Sequence, residues 1–483
     1  MNTLANDIMT IIPELFLLIM ACFILLVDLF IPKNSKILTY IFVQSALVIA
    51  AFISFLQYDQ LTTTAFNNAF ILDNLTVIMN IFICLSSAAA FVYARGYLSK
   101  ANIPYSDFYL LGLFSVVGMM VLISANNFIS LFLGLELFSL PVYAMVALNR
   151  DSVIGAEAAI KYFVIGSLAS GMLLYGLSML YGVTQSLDLN IVAEKIMQTP
   201  TSHEMILVLG LVFAVAGITF KIGAVPFHMW VPDVYEGAPT PVVLFIGTGP
   251  KIAALGLAFR LLTDGLASLT VDWHNMLVVV AVLSMAVGNL AAIAQTNIKR
   301  MLAYSSIAHM GYMTLGLLTG TPQGYGAALF YVITYSLMTL AAFGLVLIMN
   351  NSGYKTSKIN DLRGLNSRNP WLALMMLLAM FSLAGVPPIV GFMAKVSVLE
   401  ALIRVHEVWL AAVALLFAII GSYYYIRIVK VMYFESPVDD QPITYTRDMQ
   451  IALSVNGLIL LGLGLAPGFL FTLCQSAFGS GAF

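Results

Sequence analysis

Runs of about twenty apolar residues recur along this chain with scarcely a charge inside them, and that feature decides its solvent. The hydrocarbon core of a bilayer is about 30 Å thick and takes roughly 20 helical residues to cross. A backbone in that layer must satisfy its own N–H and C=O groups, which makes the helix the spanning form for runs of this length. Six such segments fall near 9–30, 37–56, 76–94, 108–125, 128–148 and 156–182. Eight more follow near 205–235, 241–263, 275–295, 301–319, 325–349, 371–404, 408–433 and 449–473. The expected fold is therefore an all-α integral membrane protein with fourteen transmembrane helices. Composition agrees, since 61% of the residues are hydrophobic and 9% charged, against about 25% charged in soluble domains. The net charge of −2 and the lack of a basic patch exclude nucleic acid as a partner and leave the lipid bilayer.

The N-terminal MNTLANDIMTIIPELF has neither the basic start nor the cleavage site of a secretory signal, so it is expected to remain as the first helix. Basic residues near helix ends stay on the cytoplasmic side. Lys33, Lys36, Arg95, Lys100, Arg150, Lys299, Arg300, Lys355, Lys358, Arg363, Arg368, Arg427, Lys430 and Arg447 all fall in or beside loops that follow odd-numbered helices, whereas the even loops hold only Lys195 and Arg404. This asymmetry puts both termini on the outer side. Cys22, Cys84 and Cys474 are far apart in apolar surroundings and read as helix-packing residues, without disulfide or metal-ligand spacing.

Two segments, 205–235 and 371–404, are too long for one straight crossing, and each contains a proline break: Pro226 in TFKIGAVPFHMW and Pro387-Pro388 in SLAGVPPIVGFMAK. Unwound backbone at membrane depth survives only against protein or a watery cavity. The sixth and eleventh segments also share a pattern, AAIKYFVIGSL from Ala158 matching AALFYVITYSL from Ala327 without gaps. The fifth and tenth segments fall at a similar offset and the two breaks occupy the corresponding seventh and twelfth, so five helices read as appearing twice. Five crossings per copy is odd, so the second copy enters the membrane from the opposite side. Inverted repeats with matched broken helices mark ion or substrate paths. The domains are then residues 1–105 (helices 1–3), 106–264 (first repeat), 265–435 (second repeat) and 436–483 (helix 14 and C-terminus).

Charge inside these spans needs a reason, because each ionised side chain at mid-membrane costs roughly 2.5 to 3.5 kcal/mol on insertion scales. Glu136 lies eight residues into the fifth span, Lys221 just before the first proline break, Lys251 after Pro250 near the centre of the eighth, and Lys395 beyond the second break. One carboxylate cannot neutralise three amines. An amine held away from water loses the hydration that favours its ammonium form, so its proton becomes easier to give up. A structural role for these groups as ion pairs is the simpler alternative. Lys161 stands four residues after Glu157, where an i,i+4 salt bridge explains it as well as a relay does. His228 and His309 are candidates for proton transfer, with packing histidines the plainer reading; His309 is expected to match Glu136 in the repeat. Lys299 and Arg300 read as positive-inside anchors. Neither histidine has metal-site spacing, and no nucleotide, flavin or haem fingerprint occurs.

The stretches FLGLELFSLPVYAM, EAAIKYFVIGSLASG, FKIGAVPFHMWVPDVYEGAPTPV, GPKIAALG and KRMLAYSSIAHMGY resemble the antiporter-like subunits of respiratory complex I and the related cation/proton antiporters. The resemblance implies inverted repeats of helices 4–8 and 9–13, and a proton-translocating role for Glu136, Lys221, Lys251 and Lys395. It also implies that NADH oxidation and quinone reduction, with FMN and iron–sulfur clusters, reside in partner subunits of a membrane arm in the bacterial inner membrane. This chain itself would carry no cofactor or metal. Lysine on the twelfth helix and the absence of a long lateral helix point to the N-type branch. A cation (sodium)/proton antiporter without redox coupling is the alternative.

Overall fold

The computed structural model describes residues 2–32, 36–100, 103–200, 203–351, 357–437, 443 and 445–479. Lys33 and Lys355, counted above among the basic loop residues, lie outside the described residues. The described chain is a bundle of helices: α1 (Asn2–Thr10), α2 (Ile12–Asp28), α3 (Ile37–Leu56), a hairpin of β1 (Thr63–Ala65) and β2 (Phe70–Leu72), α4 (Asn74–Lys100), α5 (Tyr105–Ile123), α6 (Phe128–Val146) and α7 (Val153–Thr184). Next come α8 (Leu189–Met197), α9 (Glu204–Ile222), α10 (Trp230–Gly237), α11 (Thr240–Ile246), α12 (Gly249–Ala258) with a π-helical turn to Gly265, α13 (Thr270–Ile293) and α14 (Ile298–Leu318). The chain ends with α15 (Pro322–Asn351), α16 (Leu365–Arg368), α17 (Pro370–Ala384), α18 (Val390–Arg404), α19 (Val408–Phe434), α20 (Arg447–Leu465) and α21 (Gly468–Ser476).

Among the described residues eleven helices are long and apolar enough to cross a membrane, or twelve if α1 and α2, which meet at 77°, count as one span. The helix α14 and the shorter α17 fall outside that count. The hairpin and α8 were not foreseen, because they are too short to span and lie outside the long apolar runs. The hairpin seals the loop between α5 and α6: Ile71 donates to the carbonyl of Ser124, and Asn126 donates to that of Ala69. Of the cysteines, Cys84 and Cys474 are buried as expected, but Cys22 is exposed on the apolar outer face of α2.

Both expected breaks are present, displaced toward the N-terminus from the prolines. The helix α9 stops at Ile222 and α17 at Ala384, each on a glycine in the left-handed region, Gly223 at φ 77° and Gly385 at φ 83°. Glycine takes this turn without a Cβ penalty. The prolines that follow keep the helix from resuming.

Two helix pairs are built alike. At Gly118 on α5 an added Cβ would lie 2.2 Å from the Phe138 nitrogen of α6, and at Gly288 on α13 it would lie 2.5 Å from the Ala308 nitrogen of α14. Only glycine allows backbones so close. Asn127 caps α6 and Asn297 caps α14, each accepting from the second and third N–H groups of its helix. Each cap residue also forms a β-bridge to the chain that follows the next long helix, Asn127 with Asp188 and Asn297 with Lys358. Gly288, Ala308, Asn297 and Lys358 each stand 170 positions after their counterparts.

Candidate functional site

From the Asn127 cap, α6 places Glu136, Ser139 and Tyr143 three and then four residues apart, on one face. That face meets Lys221, one residue before the end of α9. The Lys221 amine donates to Ser139 Oγ at 2.8 Å and to Tyr143 OH at 3.3 Å. The rings of Phe138, Tyr143 and Phe220 stand 5.5, 5.7 and 5.8 Å from its nitrogen, a distance at which the π-face attracts a cation. Glu136 Oε1 is buried and, among the described residues, has no hydrogen-bond partner. No ion pair joins Glu136 to Lys221 among the described residues; two hydroxyls hold the lysine.

Lys251 is 2% exposed. Its amine, carried by α12, donates to the carbonyl of Ile222 at 2.6 Å, on the last turn of α9. The Trp230 ring lies 5.4 Å from the same nitrogen, and the indole N–H of Trp230 donates to the carbonyl of Phe220 at 3.1 Å. At the other break Lys395, half-buried, donates to the carbonyls of Ala384 at 2.8 Å and Leu383 at 3.2 Å, with the Tyr312 ring 5.2 Å away. The last carbonyls of a helix lack intrahelical partners and carry partial negative charge, so an amine placed there is well matched. Each break thus ends on a lysine.

Tyr312 also borders His309, with ring centroids 6.3 Å apart. His309 is 3% exposed and held by two tyrosines, Nδ1 with Tyr331 OH at 2.7 Å and Nε2 with Tyr425 OH at 3.1 Å; Tyr425 OH in turn bonds Ser305. Counted from the two asparagine caps, His309 falls opposite Ser139 and Ser306 opposite Glu136, one turn from the expected pairing of His309 with Glu136. His228 sits half-buried in the turn after the first break, and its Nδ1 has no partner among the described residues.

Lys161 lies apart from these groups. It pairs with Glu157 at 2.8 Å and with Asp233 at 3.0 Å, its side chain 44% exposed. Arg300 joins Asp233 at 3.0 Å and Glu236 at 2.9 Å, and Lys299 donates to the carbonyl of Ala238 at 3.0 Å. The two residues read as simple anchors tie the start of α14 to α10.

Sequence reasoning passed over two buried charges inside its own predicted spans. Arg260 is 2% exposed and grips Asp73 with two N–H groups at 2.7 and 2.8 Å, adding Asp264 at 3.1 Å. Asp73 lies in the turn before α4. Burial there works to raise its carboxyl, but the Arg260 guanidinium wins and holds it below the usual aspartate value. Glu14 on α2 accepts from the Asn80 amide at 3.0 Å. A scan for any ionisable residue within a span finds both; Ser139 and Tyr143 are signalled only by their helical spacing from Glu136.

The family described as "NADH:quinone oxidoreductase/Mrp antiporter, TM" matches residues 125–421. The chain belongs to that family. It is 57% identical to the NADH-quinone oxidoreductase subunit N of Coxiella burnetii over 97% of this chain and 98% of the relative. It is 50% identical to the protein of the same name from Thioalkalivibrio sulfidiphilus over 98% of each. Among solved structures of this antiporter-like family, a chain of respiratory complex I from Thermus thermophilus with bound aureothin superposes with a TM-score of 0.81 at 31% identity, covering 96% of this chain and 99% of that one. A chain of the Mrp complex from Dietzia sp. DQ12-45-1b gives 0.86 at 20% identity, over 97% of both, which speaks for the fold alone.

Proposed function

We propose that this chain is a proton-translocating membrane-arm subunit of an NADH:quinone oxidoreductase in a bacterial inner membrane. It would cross the membrane fourteen times, with both termini on the outer side and helices 4–8 and 9–13, residues 106–264 and 265–435, as inverted repeats. The matched glycine contacts, asparagine caps and β-bridges, all 170 positions apart, support the repeat. In this reading partner subunits of the membrane arm and beyond handle NADH, quinone, FMN and iron–sulfur clusters, and this chain supplies a path for protons. Glu136, Lys221, Lys251 and Lys395 form the path, with Lys161, His228 and His309 as accessory candidates.

The observation that carries the reading is the lysine seated on the carbonyl end of each broken helix. Burial favours the neutral amine and the carbonyls favour the ammonium. A small shift of the helix end tips that balance, so the amine takes up or gives away a proton. Protons cross the remaining gaps on water, which serves nearly as well as a direct hydrogen bond. Electron transfer elsewhere in the complex would drive the shift.

The test is a purified, reconstituted complex in which Glu136→Gln or Lys221→Ala abolishes NADH-driven proton pumping. Full pumping by either variant in an assembled complex overturns the relay. Co-isolation with flavin and iron–sulfur subunits supports redox coupling; isolation without them, together with sodium-dependent proton flux, supports the antiporter alternative instead.

A further inference from the structure

Resting on the relay reading, we propose that Ser139 and Tyr143 form a second seat for the Lys221 amine that competes with the Glu136 carboxylate. Ser139 is then a positioning residue that sets how readily the Glu136–Lys221 pair opens.

An ammonium has three N–H donors and no acceptor, so a seat for it must offer oxygen lone pairs. Ser139 meets that need because its own hydroxyl hydrogen is committed, donated to the Leu135 carbonyl at 2.6 Å. Its lone pairs are left for Lys221, at 2.8 Å. Tyr143 OH adds a longer contact at 3.3 Å, and the rings of Phe138, Tyr143 and Phe220 surround the nitrogen. The seat is polar but carries no net charge, whereas Glu136 offers a full negative charge. Glu136 lies three residues from Ser139, about 4.5 Å along the helix axis, within the swing of a four-carbon lysine stem. In the conformation described the hydroxyls hold the amine and Glu136 Oε1 is free.

The seat is held firmly and joined to the first break. Tyr143 OH packs on Gly166, where an added Cβ would come within 2.1 Å of it. The Tyr143 ring meets Tyr162 edge-on at 4.6 Å, and Tyr162 stacks on Trp230 at 4.5 Å. Trp230 caps the carbonyl of Phe220 and borders Lys251. Displacement of the α9 end thus reaches Tyr143 through two aromatic contacts, so a shift at Lys251 alters the hold on Lys221.

The experiment uses the complete complex carrying Ser139→Ala or Ser139→Thr, with structure determination and NADH-driven turnover and pumping. Loss of a hydrogen bond to a charged group is worth about tenfold in an equilibrium. Ser139→Ala is expected to bring Lys221 to within an ion-pair distance of Glu136 and to slow pumping and turnover together by about tenfold. Ser139→Thr, which keeps the hydroxyl, is expected to restore both. In a Glu136→Gln background, where pumping is already lost, the readout is structural: Ser139→Ala is expected not to draw Lys221 to position 136, since the charged competitor is gone, and an equal displacement of Lys221 in both backgrounds overturns the proposal. Wild-type turnover in Ser139→Ala with Lys221 unmoved also overturns it, while leaving the relay intact if Lys221→Ala still abolishes pumping. Full pumping by Lys221→Ala removes the relay itself. Should Ser139→Ala fail to assemble, Ser139→Cys keeps the volume with a poor acceptor, and wild-type turnover there counts against the seat.

Discussion

The two helix breaks look alike and are closed differently. Both end on a left-handed glycine, both are followed by proline, and both present carbonyls to a lysine. At the first break the lysine arrives from another span: Lys251 belongs to α12, and the indole of Trp230 adds a second cap. At the second break Lys395 belongs to α18, the continuation of the same broken span, and the Ser382 hydroxyl accepts from the N–H of Gly391 across the gap at 3.2 Å. The first closure therefore reports the position of one span relative to its neighbour. The second is made between consecutive helices, α17 and α18, and depends less directly on its neighbours.

That contrast is open to direct attack. The largest effect is expected from Lys251→Ala, which leaves the Ile222 carbonyl buried without its charged partner; losing one charge-assisted hydrogen bond is worth about tenfold or more, and pumping and quinone-coupled turnover should fall together by at least that. Lys395→Ala should lower both as well, and full turnover with intact pumping in either variant removes that residue from the path. Next come Gly223→Ala and Gly385→Ala. A side chain in the left-handed region costs about 1–2 kcal/mol, measurable as lost thermal stability of the complex. Both new Cβ atoms would crowd a lysine, 2.9 Å from Lys251 Nζ at Gly223 and 2.9 Å from Cδ and 3.2 Å from Nζ of Lys395 at Gly385; Gly223→Ala should depress activity more, because Lys251 reaches its carbonyl from a different helix. Equal losses of activity would erase the distinction between the two closures. Trp230→Phe removes one cap from the first break and is expected to cost about 1 kcal/mol of stability, with a modest fall in turnover. The smallest change belongs to Ser382→Ala, roughly 0.5–1.5 kcal/mol, read as a lower melting temperature with turnover unaltered; a fall in turnover would mean that this bond also governs the hold on Lys395.

The apolar runs located the helices because burial in hydrocarbon is a local property of a segment. They also located the breaks, but two or three residues late, since the turn is made at Gly223 and Gly385 and the prolines only enforce it. What closes each break was not legible, because a lysine on a distant carbonyl depends on how spans pack. The same holds for the contacts of Lys221 with Ser139 and Tyr143. Arg260 escaped notice for a different reason: a single arginine hardly lowers the hydropathy of the run around it, yet it organises Asp73, Asp264 and the end of α5 through the carbonyl of Ile123.

The helix α15 is almost wholly enclosed by its neighbours, whereas α19 and α20 leave most of their surface outside the protein. A helix with no free side has no stripe along which residues drift without consequence. Substitutions scored one by one along α15 should therefore be poorly tolerated at nearly every position, while α19 and α20 should show a tolerant band recurring with the helical period. The centre of this membrane protein is thus expected to record its history as uniform constraint, and its rim as a periodic alternation of constraint and freedom.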